Sequence, residues 1–135
     1  MIKMVEPKPV KKITKKEQTR LDKIKKRKEW EALRQKVIAR DNGCAICGSR
    51  VQMNVHHIIP RENDAYFWDI DNLITLCIRH HKFGSPKTDL CAHRNSFPFY
   101  LWLEINRPEQ FEYCKRVSQK LFLDKITRVP TSMWK

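Results

Sequence analysis

Cys44 and Cys47 in "GCAICGSR", and Cys77 and His80 in "LCIRHH", form two pairs with the two-residue spacing from which tetrahedral metal sites are built. Between Cys47 and Cys77 lie 29 residues, enough for two short strands. Cys44, Cys47, Cys77 and His80 would form a closed Cys3His zinc site that contributes folding energy and ties the flanks of a hairpin together. Cys91 or His93, in "CAHR", could take the fourth position in place of His80. Cys114 falls on an apolar helical face and reads as core. Five cysteines is an odd number, and intracellular thiols stay reduced, so metal binding is a better reading than disulfides.

Histidine occurs twice as a doublet, His56-His57 in "VHHIIPR" and His80-His81 in "RHHK". Imidazole binds metals and moves protons near neutral pH. Adjacent residues on a helix point about 100° apart, so His80 and His81 cannot comfortably hold one ion together. With His80 on the zinc, the two doublets leave three imidazoles (His56, His57 and His81) for other work. Successive strand residues face opposite sides, so joint use of His56 and His57 requires a bulge or a strand end beside Pro60.

The elements that must position these groups can be read around them. "TKKE" from Thr14 to Glu17 is a capping-box pattern that can start a helix, although Leu21 and Ile24 give it little apolar support. Trp30, Leu33, Val37 and Ile38 share one helical face, which predicts a helix over 28–41, stopped by Asn42-Gly43. "MNVHHII" and "LITLC" read as strands, with Pro60 stopping the first. Between them, 61–71 reads as a polar loop with an aromatic patch at Tyr66, Phe67 and Trp68. "IRHHKFG" makes a helical turn ending at Gly84, and 85–95 reads as loop. "SFPFYLWLEIN" reads as a helix with Pro98 in its first turn, and Pro108 starts another that carries Phe111, Cys114, Val117 and Leu121 on one face. Trp102, Phe111 and Trp134 are aromatics for core packing or for self-association.

The chain of 135 residues is one domain with an added arm. Residues 1–28 hold 12 Lys/Arg against Glu6, Glu17 and Asp22, a net +9 of the chain's +13. This arm, partly disordered or helical and including Lys25, Lys26, Arg27 and Lys28, favours a polyanionic partner, most often nucleic acid. It has few apolar residues to insert into a membrane, and no run is long enough to span one. The N-terminus lacks the apolar core of a signal peptide, so an intracellular protein is expected, in the cytoplasm, or in the host's if virus-encoded.

Taken together, "CAIC…VHHIIPR…DNLITLC..HH" resembles the zinc-knuckle branch of the HNH (His-Asn-His) nucleases. The "WEALRQKVIARDNGC" lead-in and "AHRNSFPFYLWLEINRPEQFEY" are similar to small phage or mobile-element HNH proteins. The resemblance implies an α+β fold: a ββα-metal core with a zinc knuckle, flanked by N-terminal and C-terminal helices. The nuclease domain would span 29–123, followed by a tail over 124–135. Carried over by residue, the resemblance makes His57 the general base, His56 and His81 the ligands of a catalytic ion, and Asn72 the asparagine that holds the strand loop and orients the base. It implies a metal-dependent endonuclease that nicks duplex or branched DNA, as a monomer or homodimer, with a structural Zn²⁺ and a working Mg²⁺ or Mn²⁺. Imidazoles also suit Ni²⁺, Co²⁺ or Zn²⁺. Arg61 and Lys82 are candidates for phosphate contacts. The competing reading is a non-catalytic zinc-containing DNA-binding module, which would leave His56, His57, Asn72 and His81 idle.

Overall fold

The computed structural model describes residues 2–84 and 90–127, with side chains as far as Phe122. Helix α1, Lys15–Asp41, is a single element of 27 residues. The capping box predicted its start: the Glu17 amide donates to Thr14 Oγ1 at 3.2 Å. Its end is equally local, because Asn42 adopts the left-handed conformation (φ 55°, ψ 47°) and returns its N–H to the Ile38 carbonyl. The expected weak and strong helices are therefore one, although Leu21 and Ile24 stay exposed at 45% and 37%. In the first half of α1, capping and intrahelical hydrogen bonds outweigh the missing apolar face.

Gly43 then turns the chain into the knuckle. It sits at φ 97°, and a Cβ there would lie 2.9 Å from the Gly48 carbonyl, so only glycine fits. The knuckle closes on itself through Cys44 N–H to the Ser49 carbonyl (2.9 Å) and Gly48 N–H to the Cys44 carbonyl (2.8 Å). Ala45 N–H reaches the Thr75 carbonyl at 2.9 Å, which attaches the knuckle to the sheet.

The sheet is one antiparallel pair: β1, Met53–His57, and β2, Leu73–Cys77. The expected first strand ran to Ile59, but the ladder ends two residues earlier. Beyond it, Ile58 N–H bonds the Asn72 carbonyl at 2.9 Å, and Ile59 N–H bonds the Asn72 side chain instead of a strand partner. The connection, read as plain loop, holds a short helix α2, Asp64–Phe67, and a 3-10 turn, Ile70–Asn72. After β2 the chain makes a π-type turn over Arg79–Phe83. Helices α3, Ser96–Asn106, and α4, Pro108–Thr127, follow as expected, although α4 runs on into the segment read as a tail. The ββα order and its flanking helices make the fold α+β.

β2 is buried along its whole length. Ile74 and Leu76 pack with Phe99, Leu103, Cys114 and Val117, while α1 lies against the sheet. Trp102 and Phe111 also pack against this core; Trp134 lies outside the described residues.

One buried carboxylate joins these layers. The Asp41 side chain is fully buried and accepts from Thr75 N–H (2.8 Å), Arg40 Nε (2.8 Å) and Arg107 Nη1 (2.9 Å). It thus ties the end of α1 to β2 and to the α3–α4 corner. Burial alone would raise its pKa, but the hydrogen bonds from Arg40, Thr75 and Arg107 and the charge of Arg40 outweigh burial and hold it low. The turn before β2 is clamped as well. Arg40 donates to the Ile70 and Leu73 carbonyls at 2.8 and 2.5 Å, Gln110 donates to the Asp71 and Leu73 carbonyls, and the Tyr113 hydroxyl donates to Asp69.

Candidate metal centres and catalytic cleft

The knuckle and the turn after β2 bring Cys44, Cys47, Cys77 and His80 together, with all four ligand atoms within 4.8 Å of one another. Cys47 Sγ lies 3.7 Å from Cys77 Sγ, and Cys44 Sγ lies 3.6 Å from His80 Nδ1. A tetrahedral ion with Zn–S near 2.3 Å and Zn–N near 2.05 Å requires about 3.8 Å and about 3.6 Å for those edges. Those two edges match, while Cys77 Sγ to His80 Nδ1 is shorter at 3.2 Å; three thiols and an imidazole are a donor set that zinc takes. Burial pushes the Cys44 thiol up, but the amides of Cys47, Cys77 and Ile46 outweigh it and hold the pKa below the usual thiol value. A lowered thiol pKa favours the thiolate that a metal needs. Cys91 is fully buried and lies outside the cluster, so His80 is the fourth member among the described residues.

A second cluster lies on the other side of the same turn. His56, His81 and His93 present ring nitrogens within 4.8 Å of one another. The ring of His56 stands edge-on to His81 (centroids 5.3 Å apart) and to His93 (4.9 Å), and His81 Nε2 meets His93 Nε2 at 3.1 Å. Burial, followed by the neighbouring imidazoles, pushes the pKa of His56 down to about 3. Burial, then His93 and Lys82, brings His81 to about 4. His93 is lowered by burial and by Lys82. At neutral pH the three rings are thus uncharged, which is the form that binds metal. His80 and His81 do divide as helical geometry requires, one to each cluster.

His93 stands beside the expected pair, His56 and His81. The sequence reading weighed it only as a substitute zinc ligand, because nothing local ties "CAHR" to "VHH". Tertiary hydrogen bonds place it: Ala92 N–H to the His80 carbonyl (2.8 Å) and His93 N–H to the His81 carbonyl (3.2 Å).

The strand register separates the first doublet. His56 pairs with Ile74 and shares its face, toward Phe99; His57 pairs with Leu73 and faces α1. No bulge is needed, because β1 ends at His57. The His57 imidazole stacks on Trp30 at 5.3 Å and 10°, and its Nε2 donates to the Phe67 carbonyl at 3.0 Å. A carbonyl only accepts, so the proton sits on Nε2 and Nδ1 carries the lone pair. Burial lowers the pKa of His57, opposed by the Phe67 carbonyl and aided by Arg61.

Asn72, fully buried, holds the turn between the strands. Its Oδ1 accepts from Ile59 N–H at 2.6 Å, and its Nδ2 donates to the carbonyls of Ile59 (3.2 Å) and Tyr66 (3.0 Å). One side chain thereby braces both ends of the segment that carries Phe67, the partner of His57.

His56, His57, His81 and His93 line one cleft of about 400 Å³, with Arg61 and Lys82 exposed on its walls. A larger hollow of about 600 Å³ lies at the α3–α4 corner, but its Arg40 and Arg107 are engaged with Asp41, and neither metal-ligand cluster found among the described residues lies in it. Lys25, Lys26, Arg27 and Lys28 are exposed on α1, with Lys25 4.0 Å from Glu29.

Residues 44–82 match the family model described as HNH endonuclease. The match covers the knuckle and the hairpin and ends within the turn that follows β2. Searches of curated proteins and of solved structures gave no significant match. Among the described residues, no helix is long and apolar enough to cross a membrane.

Proposed function

We propose that the protein is a metal-dependent endonuclease that nicks DNA. The observation that carries this reading is the convergence of His56, His81 and His93 beside a fourth imidazole, His57, whose second nitrogen is already committed to a carbonyl. A divalent ion held by the three rings would act as a Lewis acid on a phosphate oxygen and offset charge on the leaving oxygen. His57 Nδ1 takes the proton from the attacking water as general base. The Phe67 carbonyl and the Trp30 ring hold that imidazole in one tautomer and one plane. Arg61 and Lys82 bind the phosphate on either side of the cleft, and the basic face of α1 adds contacts without sequence preference. Three imidazoles shift the preferred ion from Mg²⁺, an oxygen-seeking cation, toward Mn²⁺, Co²⁺, Ni²⁺ or Zn²⁺. Cys44, Cys47, Cys77 and His80 hold a structural Zn²⁺. A single general base at one ion breaks one strand per event.

Supercoiled plasmid and Mn²⁺ provide the test. The protein should produce nicked circles, and His57→Ala should reduce the rate by about 100-fold or more while DNA binding is kept. Absence of cleavage by either protein with every divalent ion would instead support a zinc-containing DNA-binding module.

A further inference from the structure

Beside the catalytic cleft is a second concavity that the hydrolytic chemistry leaves unused. It is an open groove of about 510 Å³ lined by the aromatic rings of Trp30, Phe67 and Trp68, with Lys26 and Arg27 contributed by α1 and Asp64 by α2. Trp68 is 42% exposed, unusual for so large an apolar side chain, and Lys26 and Arg27 are solvated. Trp30 belongs to both places. It stacks flat on His57 and meets Trp68 edge-on at 5.9 Å.

We infer that this groove binds an unpaired nucleobase of the substrate strand, next to the phosphate that enters the cleft. Aromatic walls offer a stacking platform to any base, and the two cations from α1 match the phosphates that flank it. An apolar peptide would gain nothing from those cations. Asp64 repels a phosphate but can accept from a base's exocyclic amine, which places the backbone on the Lys26–Arg27 side. A base within a duplex has both faces covered by its neighbours, so the groove selects single-stranded, gapped or branched DNA, or a base extruded from the helix. The inference takes the location of the cleft from the nuclease reading, but its readout does not depend on cleavage.

A single-stranded oligonucleotide carrying 2-aminopurine, whose fluorescence falls when it stacks, tests this with the zinc-loaded full chain and no added Mg²⁺ or Mn²⁺. Binding should quench the probe. Trp68→Ala should weaken single-strand binding by about tenfold, leave binding of a fully paired duplex within about twofold, and be rescued by Trp68→Phe. Equal losses on both substrates, or no loss on either, would overturn the inference. Plasmid nicking by Trp68→Ala is the control on the other reading. Nicking without quenching by the unaltered chain removes only the stacking site, whereas quenching without nicking by the unaltered chain removes only the hydrolytic assignment.

Discussion

His81 and His93 bring their Nε2 atoms to 3.1 Å, although the two positions are twelve apart in sequence and belong to different segments. Two neutral imidazoles cannot both aim lone pairs at one another, so either a shared proton or a shared cation must lie between them. With metal–nitrogen bonds near 2.1 Å, that separation corresponds to an angle of about 95° at the ion, suited to a six-coordinate metal with two neighbouring histidine positions. His56 completes the set from β1.

His93→Ala is therefore expected to weaken Mn²⁺ or Ni²⁺ binding by about 100-fold, at the upper end of what even indirect supports of a ligand contribute. Titration calorimetry on zinc-loaded protein reads this directly. The structural zinc should remain at one per chain in the variant, because His93 lies outside the Cys3His cluster.

Removal of that zinc should unfold the domain. Binding at such sites contributes about 10 kcal/mol or more, which is comparable with the whole stability of a domain this size. Among the described residues, the knuckle has a single backbone–backbone bond to β2, from Ala45 N–H to the Thr75 carbonyl. Cys77→Ser or a strong chelator should abolish the cooperative thermal transition in circular dichroism, and added Zn²⁺ should restore it only in the chelated wild type.

Asp41 was read only as the last residue of a helix, yet it joins three elements. Its two arginine partners retain side-chain exposures of 31% and 28% and can rehydrate, so Asp41→Asn should cost about 3 kcal/mol, the low end for a broken buried pair. The pH dependence follows from its lowered pKa. The native state binds fewer protons here than the unfolded chain, so the stabilisation is complete above the ordinary carboxyl value of 3.8 and is lost as pH falls through the native value. Denaturant titrations should show a gap between wild type and Asp41→Asn that is constant from about pH 8 to about pH 5 and narrows below about pH 4.

Asn72→Ala would remove the partner of the Ile59 amide and the Nδ2 donor to the Ile59 and Tyr66 carbonyls in a fully buried turn, although Tyr66 keeps the Asp69 N–H. A loss of about 2–4 kcal/mol is expected in chemical denaturation. Asn72→Asp keeps the acceptor for Ile59 N–H but sets a carboxylate against the carbonyls of Ile59 and Tyr66, so it should be no more stable than the alanine variant.

Much of the scaffold was legible because its signals are local. The capping box at Thr14, Asn42-Gly43, and the prolines at 98 and 108 mark helix limits through backbone chemistry within a few residues. Strand β2 was read to the residue because "LITLC" is uniformly apolar, as a strand covered on both faces must be. The zinc-type cluster was legible for the same reason, since each pair sits on a single turn. His93, Trp30 and Asp41 were not. Their roles depend on packing between distant segments, and no spacing in the chain encodes a contact between residue 30 and residue 57, or between 41 and 107. The division of His56 from His57 was anticipated as a difficulty, and the register shows how the fold meets it: opposite faces of a strand that stops at the second ring.

The central claim is that one hairpin and its trailing turn gather two ions of different chemistry. Anomalous diffraction from crystals of zinc-loaded protein soaked in Mn²⁺ tests it most directly. The account predicts two peaks per chain, a zinc edge at Cys44, Cys47, Cys77 and His80 and a manganese signal at His56, His81 and His93. A single peak, or a manganese signal bound elsewhere with the three imidazoles turned away from one another, would contradict it.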